Sequence, residues 1–85
     1  MVLFAESRLF NLDRFDYLYI ESPDEGTWSI KGVGENIVPI TACPTEEYAK
    51  GVLNEIATAY KLEKSAIRLK EVRAAVEAAI EAKNK

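Results

Sequence analysis

The sequence of 85 residues contains no histidine, and this absence narrows the chemistry open to the protein. Histidine is the commonest general base, the usual activator of serine and cysteine nucleophiles, and a frequent metal ligand. The single cysteine, Cys43, has no such activator, so we expect a small buried side chain. The nearest carboxylate pairs, Asp13 with Asp16 and Asp24 with Glu25, lie in or beside predicted turns, where aspartate is favoured for backbone reasons. We therefore predict a protein that is not an enzyme and needs no metal or other cofactor.

Long apolar runs and phosphate-binding loops are also missing from the sequence. No apolar run approaches the roughly 20 residues of a membrane-spanning helix, and the segment Met1–Glu6 lacks the basic start of a signal peptide. Only four glycines occur, and Gly32-Val33-Gly34 lacks the spacing of a nucleotide-binding loop. One cysteine cannot form an internal disulfide, which fits a reducing compartment. We expect a single domain, residues 1–85, in the cytoplasm, without a membrane partner.

The first half of the chain has the pattern of short strands separated by turns. A β-meander of four or five strands is predicted over residues 1–43. Glu6-Ser7-Arg8 is expected to turn a first hairpin, and Ser22–Gly26, with proline, aspartate and glycine, a later one. Proline cannot donate to a ladder, so Pro39 indicates either an edge strand or a position whose missing N–H faces outward. The predicted strands are Val2–Ala5, Leu9–Leu12, Asp16–Glu21, Thr27–Val33 and Ile37–Thr41.

The third of these strands is apolar on both faces. Leu18 and Ile20 share one face, and alternation assigns Phe15, Tyr17 and Tyr19 to the other. A face open to water normally carries polar residues. The sequence therefore predicts that something covers or binds the second face.

The second half has the pattern of helices. Thr45 precedes Glu46 and Glu47, an arrangement typical of a helix start, because threonine caps free amides and carboxylates favour the positive end of the helix dipole. Helices are predicted over residues 45–60 and 64–83. Strands followed by helices indicate the α+β class. The expected fold is an antiparallel β-meander of four or five strands followed by two C-terminal helices, or by one long bent helix.

The apolar stripe changes sides partway along this helical half. At roughly 100° per residue, Tyr48, Val52, Ile56 and Tyr60 share one face, whereas Leu69, Val72 and Val76 share a face about half a revolution away. Either the chain bends near Lys61–Ser65, or the second stripe packs against another molecule. The leading hypothesis is a non-enzymatic homo-oligomeric interaction module, most simply a dimer. Its expected interface consists of Leu69, Val72, Val76, Ala79 and Ile80.

Charge is divided unevenly along the chain and supports an alternative hypothesis. Residues 1–62 carry five basic and ten acidic side chains, whereas residues 63–85 carry six basic and four acidic side chains. The alternative is a protein that binds a small anionic ligand, a nucleotide or a nucleic acid through Arg68 and Arg73, with Tyr17 and Tyr19 as stacking surfaces. The acidic body argues against nucleic acid, which needs a basic face.

Three segments give the chain a resemblance to known proteins. They are Phe10-Asn11-Leu12-Asp13, the strand Tyr17–Ile20, and the segment from Thr45-Glu46-Glu47-Tyr48 to Ile56. Together they resemble small uncharacterised proteins of bacteria and their phages, which combine a β-meander, an Asn-Leu-Asp turn and a Thr-Glu-Glu-capped helix. The resemblance spans about residues 9–60. It implies an interaction protein of phage origin and no transferable activity.

Overall fold

A computed structural model describes residues 1–22 and 26–84 of the chain. The first two strands form the predicted hairpin, with Ala5 paired to Arg8 across Glu6 and Ser7. Glu6 has a φ of 50°, which lies in the left-handed region usual for tight turns. A third strand joins the other side of β1 in parallel. This β1 sheet has the order β2-β1-β6, with β1 at Val2–Ala5, β2 at Arg8–Asn11 and β6 at Ala66–Arg68.

A second sheet, the β4 sheet, is the predicted antiparallel meander. Its order is β3-β4-β5, and β5 lies at an edge as Pro39 indicated. Of the predicted turn at Ser22–Gly26, residues 23–25 lie outside the described residues, but the antiparallel pairing of the strands that it joins is confirmed. The bounds are Tyr17–Glu21 for β3, Trp28–Val33 for β4 and Ile37–Cys43 for β5. The strands before residue 44 are therefore divided between two sheets.

The first helix begins where the sequence indicated. Helix α1 spans Glu46–Lys61, and the Thr45 hydroxyl accepts a hydrogen bond from the Tyr48 amide at 3.1 Å. The helix ends without glycine. Glu63 takes a left-handed φ of 55°, and the Lys64 amide donates to the Ala59 carbonyl. This is the geometry that helix C-termini normally obtain from glycine.

The chain therefore bends near Lys61–Ser65, and the predicted second helix needs correction. Residues 66–68 form β6, and α2 spans Leu69–Lys83, later than the predicted start at residue 64. The Ser65 carbonyl accepts a hydrogen bond from the Val2 amide at 2.9 Å, and Arg68 is the residue that precedes α2. Pairing with β1 keeps this segment extended. The α+β class with two C-terminal helices is confirmed.

The two helices form an antiparallel pair that lies over the inner faces of both sheets. Near one end of the pair, the Tyr48 hydroxyl donates to Glu77 Oε1 at 2.7 Å. Close approach requires Gly51, since a Cβ at this position would lie 2.8 Å from Val76 Cγ1. The core between helices and sheets is apolar, and its largest fully buried side chains are Leu3, Ile30, Cys43, Val52 and Ile56.

Candidate functional site

The expected α2 interface is mostly occupied by the chain's own core. Leu69, Val72 and Val76 are only 8%, 8% and 4% exposed, so their side chains cannot meet a partner in this fold. This corrects the sequence-based interface at those three positions. Ala79 is exposed and Ile80 half-buried, and they line a groove between the helices. The stripe changes sides because α2 reverses direction and covers the chain's own sheets.

The two arginines of the ligand hypothesis lie apart from each other and from the two tyrosines. Arg73 Nη1 donates to Thr41 Oγ1 and to the Ala42 carbonyl, both at 3.0 Å, and its guanidinium lies 4.9 Å from the centroid of the Tyr48 ring. Arg73 thus joins α2 to β5 and α1. Arg68 lies over Phe4 on the β1 sheet, at 6.0 Å from the ring centroid. Arg73 therefore has a structural role in this fold, and Arg68 lies exposed on another surface.

The predicted tyrosines share the outer face of the β4 sheet, the face turned away from α1. Their ring centroids are 6.2 Å apart, and Tyr17 is 58% exposed. Phe15 departs from the prediction. Tyr17 begins the strand, and the Phe15 ring covers Gly32, where an added Cβ would meet it at 2.8 Å. Since Gly32 pairs with Leu18, Phe15 lies on the inner face.

Beside β3 lies a cleft of about 560 Å³, the α1–β3 cleft, which sequence reasoning missed. Its floor is apolar and combines Phe15 and Leu18 from the sheet side with Leu53 and Ile56 from α1. The sequence had assigned the α1 residues to a core stripe, and nothing in their spacing shows that the helix leaves one end of the sheet uncovered.

The rim of the α1–β3 cleft is acidic and aromatic. Asp13, Asp16, Tyr17 and Tyr60 line it. Asp13 Oδ2 lies 2.7 Å from the Met1 ammonium, and the Tyr60 hydroxyl donates to Asp13 Oδ1 at 3.3 Å. The hydrogen bond from the ammonium is the main cause of a lowered Asp13 pKa, and burial, followed by the Asp13 charge, raises the Tyr60 pKa. Asp13 stays ionised and Tyr60 stays neutral near neutral pH.

Asp16 is the rim carboxylate with no fixed partner. Its side chain is exposed, and within residues 1–22 and 26–84 it makes no side-chain hydrogen bond or ion pair. The two arginines of the ligand hypothesis line other cavities. Arg73 lines one beside the β1–β2 turn, and Arg68 lines one beside α1 and β6. The α1–β3 cleft thus combines an apolar floor with a negative rim.

Comparison with protein-family models, curated proteins and solved structures gives no match to this chain. The resemblance to small bacterial and phage proteins stays a prediction. In the part of the chain that the structure describes, no group of three or more acidic or cysteine side chains is placed to hold a metal ion. Neither α1 nor α2 has the length and apolar character needed to cross a bilayer.

Proposed function

We propose that this protein is a non-enzymatic interaction module that forms a homodimer through the free edge of β3. The observation that carries this proposal is the composition of that edge. Among the described residues β3 pairs only with β4, so alternate N–H and C=O groups along its other side have no strand partner there. From Tyr17 to Ile20 every side chain is aromatic or aliphatic, and Glu21 is its single charge. Such an edge is a template for another strand.

The opposite edge of the same sheet, β5, is protected against pairing with another strand. β5 contains Pro39, and its register shifts opposite Ile30 and Lys31. Arg73 from α2 also donates to the Ala42 carbonyl. Proline, an irregular register and coverage by a neighbouring element are the usual protections of an edge strand. β5 has all three, and residues 1–22 and 26–84 give β3 none of them, so β3 is suited to pairing.

A second copy is the occupant that this strand fits. Antiparallel pairing across a two-fold axis at Tyr19 sets Leu18 opposite Ile20 of the second copy, so apolar side chains meet on the inner side. On the outer side Tyr17 lies opposite Glu21, and no like charges oppose each other. The result is a six-stranded sheet with both α1 helices on one face. Two-fold dimers are also the commonest oligomers. We further propose a cytoplasmic setting, because the buried Cys43 is a free thiol.

Light scattering over a range of concentrations tests this proposal. We expect the wild-type mass to rise from monomer to dimer, and Tyr19→Lys to remain a monomer because it sets two lysines against each other at the axis. Ile37→Lys is the matched control, since Ile37 is 61% exposed on the same outer face but belongs to β5. It should dimerise like the wild type. A wild-type protein that stays monomeric, or equal loss of dimer in both variants, contradicts the proposal.

A further inference from the structure

We infer that the α1–β3 cleft is a binding site for an alkylammonium group, a primary amine carried on an apolar chain. The α1–β3 cleft borders the dimer edge, because Tyr17 and Leu18 of β3 also line it, but this inference does not use dimerisation as evidence. It rests on three properties of the cleft: its size, its apolar floor and the sign of the charge at its rim.

The size and floor suit the apolar part of such a ligand. Binding clefts for small molecules are usually about 300 to 1,000 Å³ and are largely apolar with a few polar groups, and this cleft has about 560 Å³. Phe15, Leu18, Leu53 and Ile56 line it. An alkyl chain between these side chains leaves water and gains stability in proportion to the apolar area that it buries.

The rim selects for the charged end of the ligand. Asp16 and Asp13 contribute two carboxylates, and among the described residues that line the cleft there is no lysine or arginine. The Met1 ammonium already pairs with Asp13 Oδ2. Asp16 is therefore the carboxylate available to bind the ammonium group of a ligand. An ammonium donates up to three hydrogen bonds, and those to a carboxylate are stronger than neutral ones.

An aromatic side chain strengthens the preference for a cation. Tyr60 of α1 lines the rim, and its ring attracts a cation that lies over its face. A carboxylate ligand meets the opposite situation, since Asp13 and Asp16 repel it. A neutral alcohol of the same length makes the same apolar contacts with the floor of the cleft but cannot form the charge-assisted hydrogen bond to Asp16. The predicted order of affinity is therefore amine, then alcohol, then carboxylate.

Titration of the protein with three probes of equal chain length tests this order. Hexylamine, 1-hexanol and hexanoate are each added at neutral pH while backbone amide shifts are followed by NMR. We expect shifts at the cleft and about tenfold tighter binding of hexylamine than of hexanol, the ratio given by one charge-assisted hydrogen bond. Hexanol binding as tight as hexylamine binding, tighter hexanoate binding, or shifts confined to other surfaces overturns the inference.

Three variants identify the groups responsible. Asp16→Asn should reduce hexylamine affinity to that of hexanol and leave hexanol binding unchanged. Glu35→Gln is the matched control, because it removes one exposed carboxylate from a different cavity and should change neither affinity. Ala57→Trp should weaken both probes by filling the cleft from an exposed position of α1. An unchanged amine preference in Asp16→Asn overturns the inference.

The natural ammonium has two possible sources, a free amine or a lysine side chain of another protein. A fourth probe, lysine capped at both backbone ends, distinguishes them. Tighter binding of the capped lysine than of hexylamine supports a lysine-bearing protein segment, and the reverse supports a small amine. Failure of both cationic probes to bind more tightly than hexanol overturns the site. The dimer measurement is separate, since its variants change Tyr19 and Ile37, and neither residue lines the cleft.

Discussion

At the scale of single residues, the packing of the two helices depends on the absence of a side chain at Gly51. Glycine inside a helix normally lowers stability by about 0.5–1 kcal/mol relative to alanine. The sequence alone would therefore predict that Gly51→Ala stabilises the protein. The structure reverses this expectation because a Cβ there would lie 2.8 Å from Val76 Cγ1. Val76 is β-branched and buried, so it has little freedom to turn away. The glycine is present for close packing of α1 against α2.

We predict that Gly51→Ala lowers the free energy of unfolding by about 1–3 kcal/mol, the usual range for overpacking a core. Urea denaturation measures the change. The double variant with Val76→Ala should lose less stability than the sum of the two single variants, because the new methyl group enters the space that valine vacates. Additive losses contradict the close contact and assign the effect of Gly51→Ala elsewhere.

Residue periodicity predicted much of the core but not every side-chain direction. The apolar stripe of α1 was recognised, and Tyr48, Val52 and Ile56 are buried. Phe15 was misplaced because alternation holds only inside a strand, and β3 begins two residues later. Glu63 shows a second limit. Its left-handed φ ends α1, yet the sequence offers no glycine or asparagine there as a signal.

At the scale of elements, the start of α1 is the clearest success of the sequence. Threonine followed by two glutamates predicted both the capping residue and the start of the helix, where carboxylates interact favourably with the positive end of the dipole. β6 is the clearest omission. Three residues, Ala66–Arg68, are too few for a periodic pattern, and their extended form depends on pairing with β1. A contact between distant parts of a chain leaves no trace in local spacing.

The cap leads to a second prediction. Thr45→Ala should reduce the free energy of unfolding by about 1 kcal/mol, since the Tyr48 amide loses its hydrogen-bond acceptor. Thr45→Ser keeps a hydroxyl and serves as the control, with a loss well below that of alanine. Thermal and urea unfolding of the two variants provide the comparison. Equal losses would mean that the threonine methyl group, rather than the cap, matters.

At the scale of the whole molecule, a polar network connects both helices to the β4 sheet. The Tyr48 hydroxyl donates to Glu77, and Arg73 packs on the Tyr48 ring while donating to Thr41. Burial, and then the hydrogen bond to Glu77, raises the pKa of Tyr48 to about 12. In an unfolded chain the phenol has its ordinary pKa of 10.0. Folding stability is therefore linked to this proton.

The sign of the linkage gives a third prediction. Below pH 10 the phenol is protonated in both states, so its contribution to stability is complete. Between pH 10 and about 12 the unfolded chain releases the proton while the folded chain keeps it, so stability falls as pH rises. Tyr48→Phe should unfold with a shallower dependence over this range, because other titrating groups are common to both proteins. Parallel curves would show that Tyr48 titrates normally in the folded state.

The architecture was predictable as a class, while the arrangement of its parts was not. The meander β3-β4-β5 and two helices follow from turn residues and periodicity. The division of the strands between two sheets depends on β6, and the α1–β3 cleft depends on where α1 crosses the sheet. Both are set by packing between distant segments, and such contacts are chosen by the whole chain at once.

The parallel pairing of β1 with β6 determines when the protein can finish folding during its synthesis. β1 and β2 leave the ribosome first, and a hairpin of two strands alone is marginally stable in water. Val2 pairs with Ala66, so the third strand emerges only after α1 has been translated. Until then Leu3 has no complete core to enter, and such exposed apolar surface is prone to aggregation. The beginning of the chain is made first and reaches its final structure among the last.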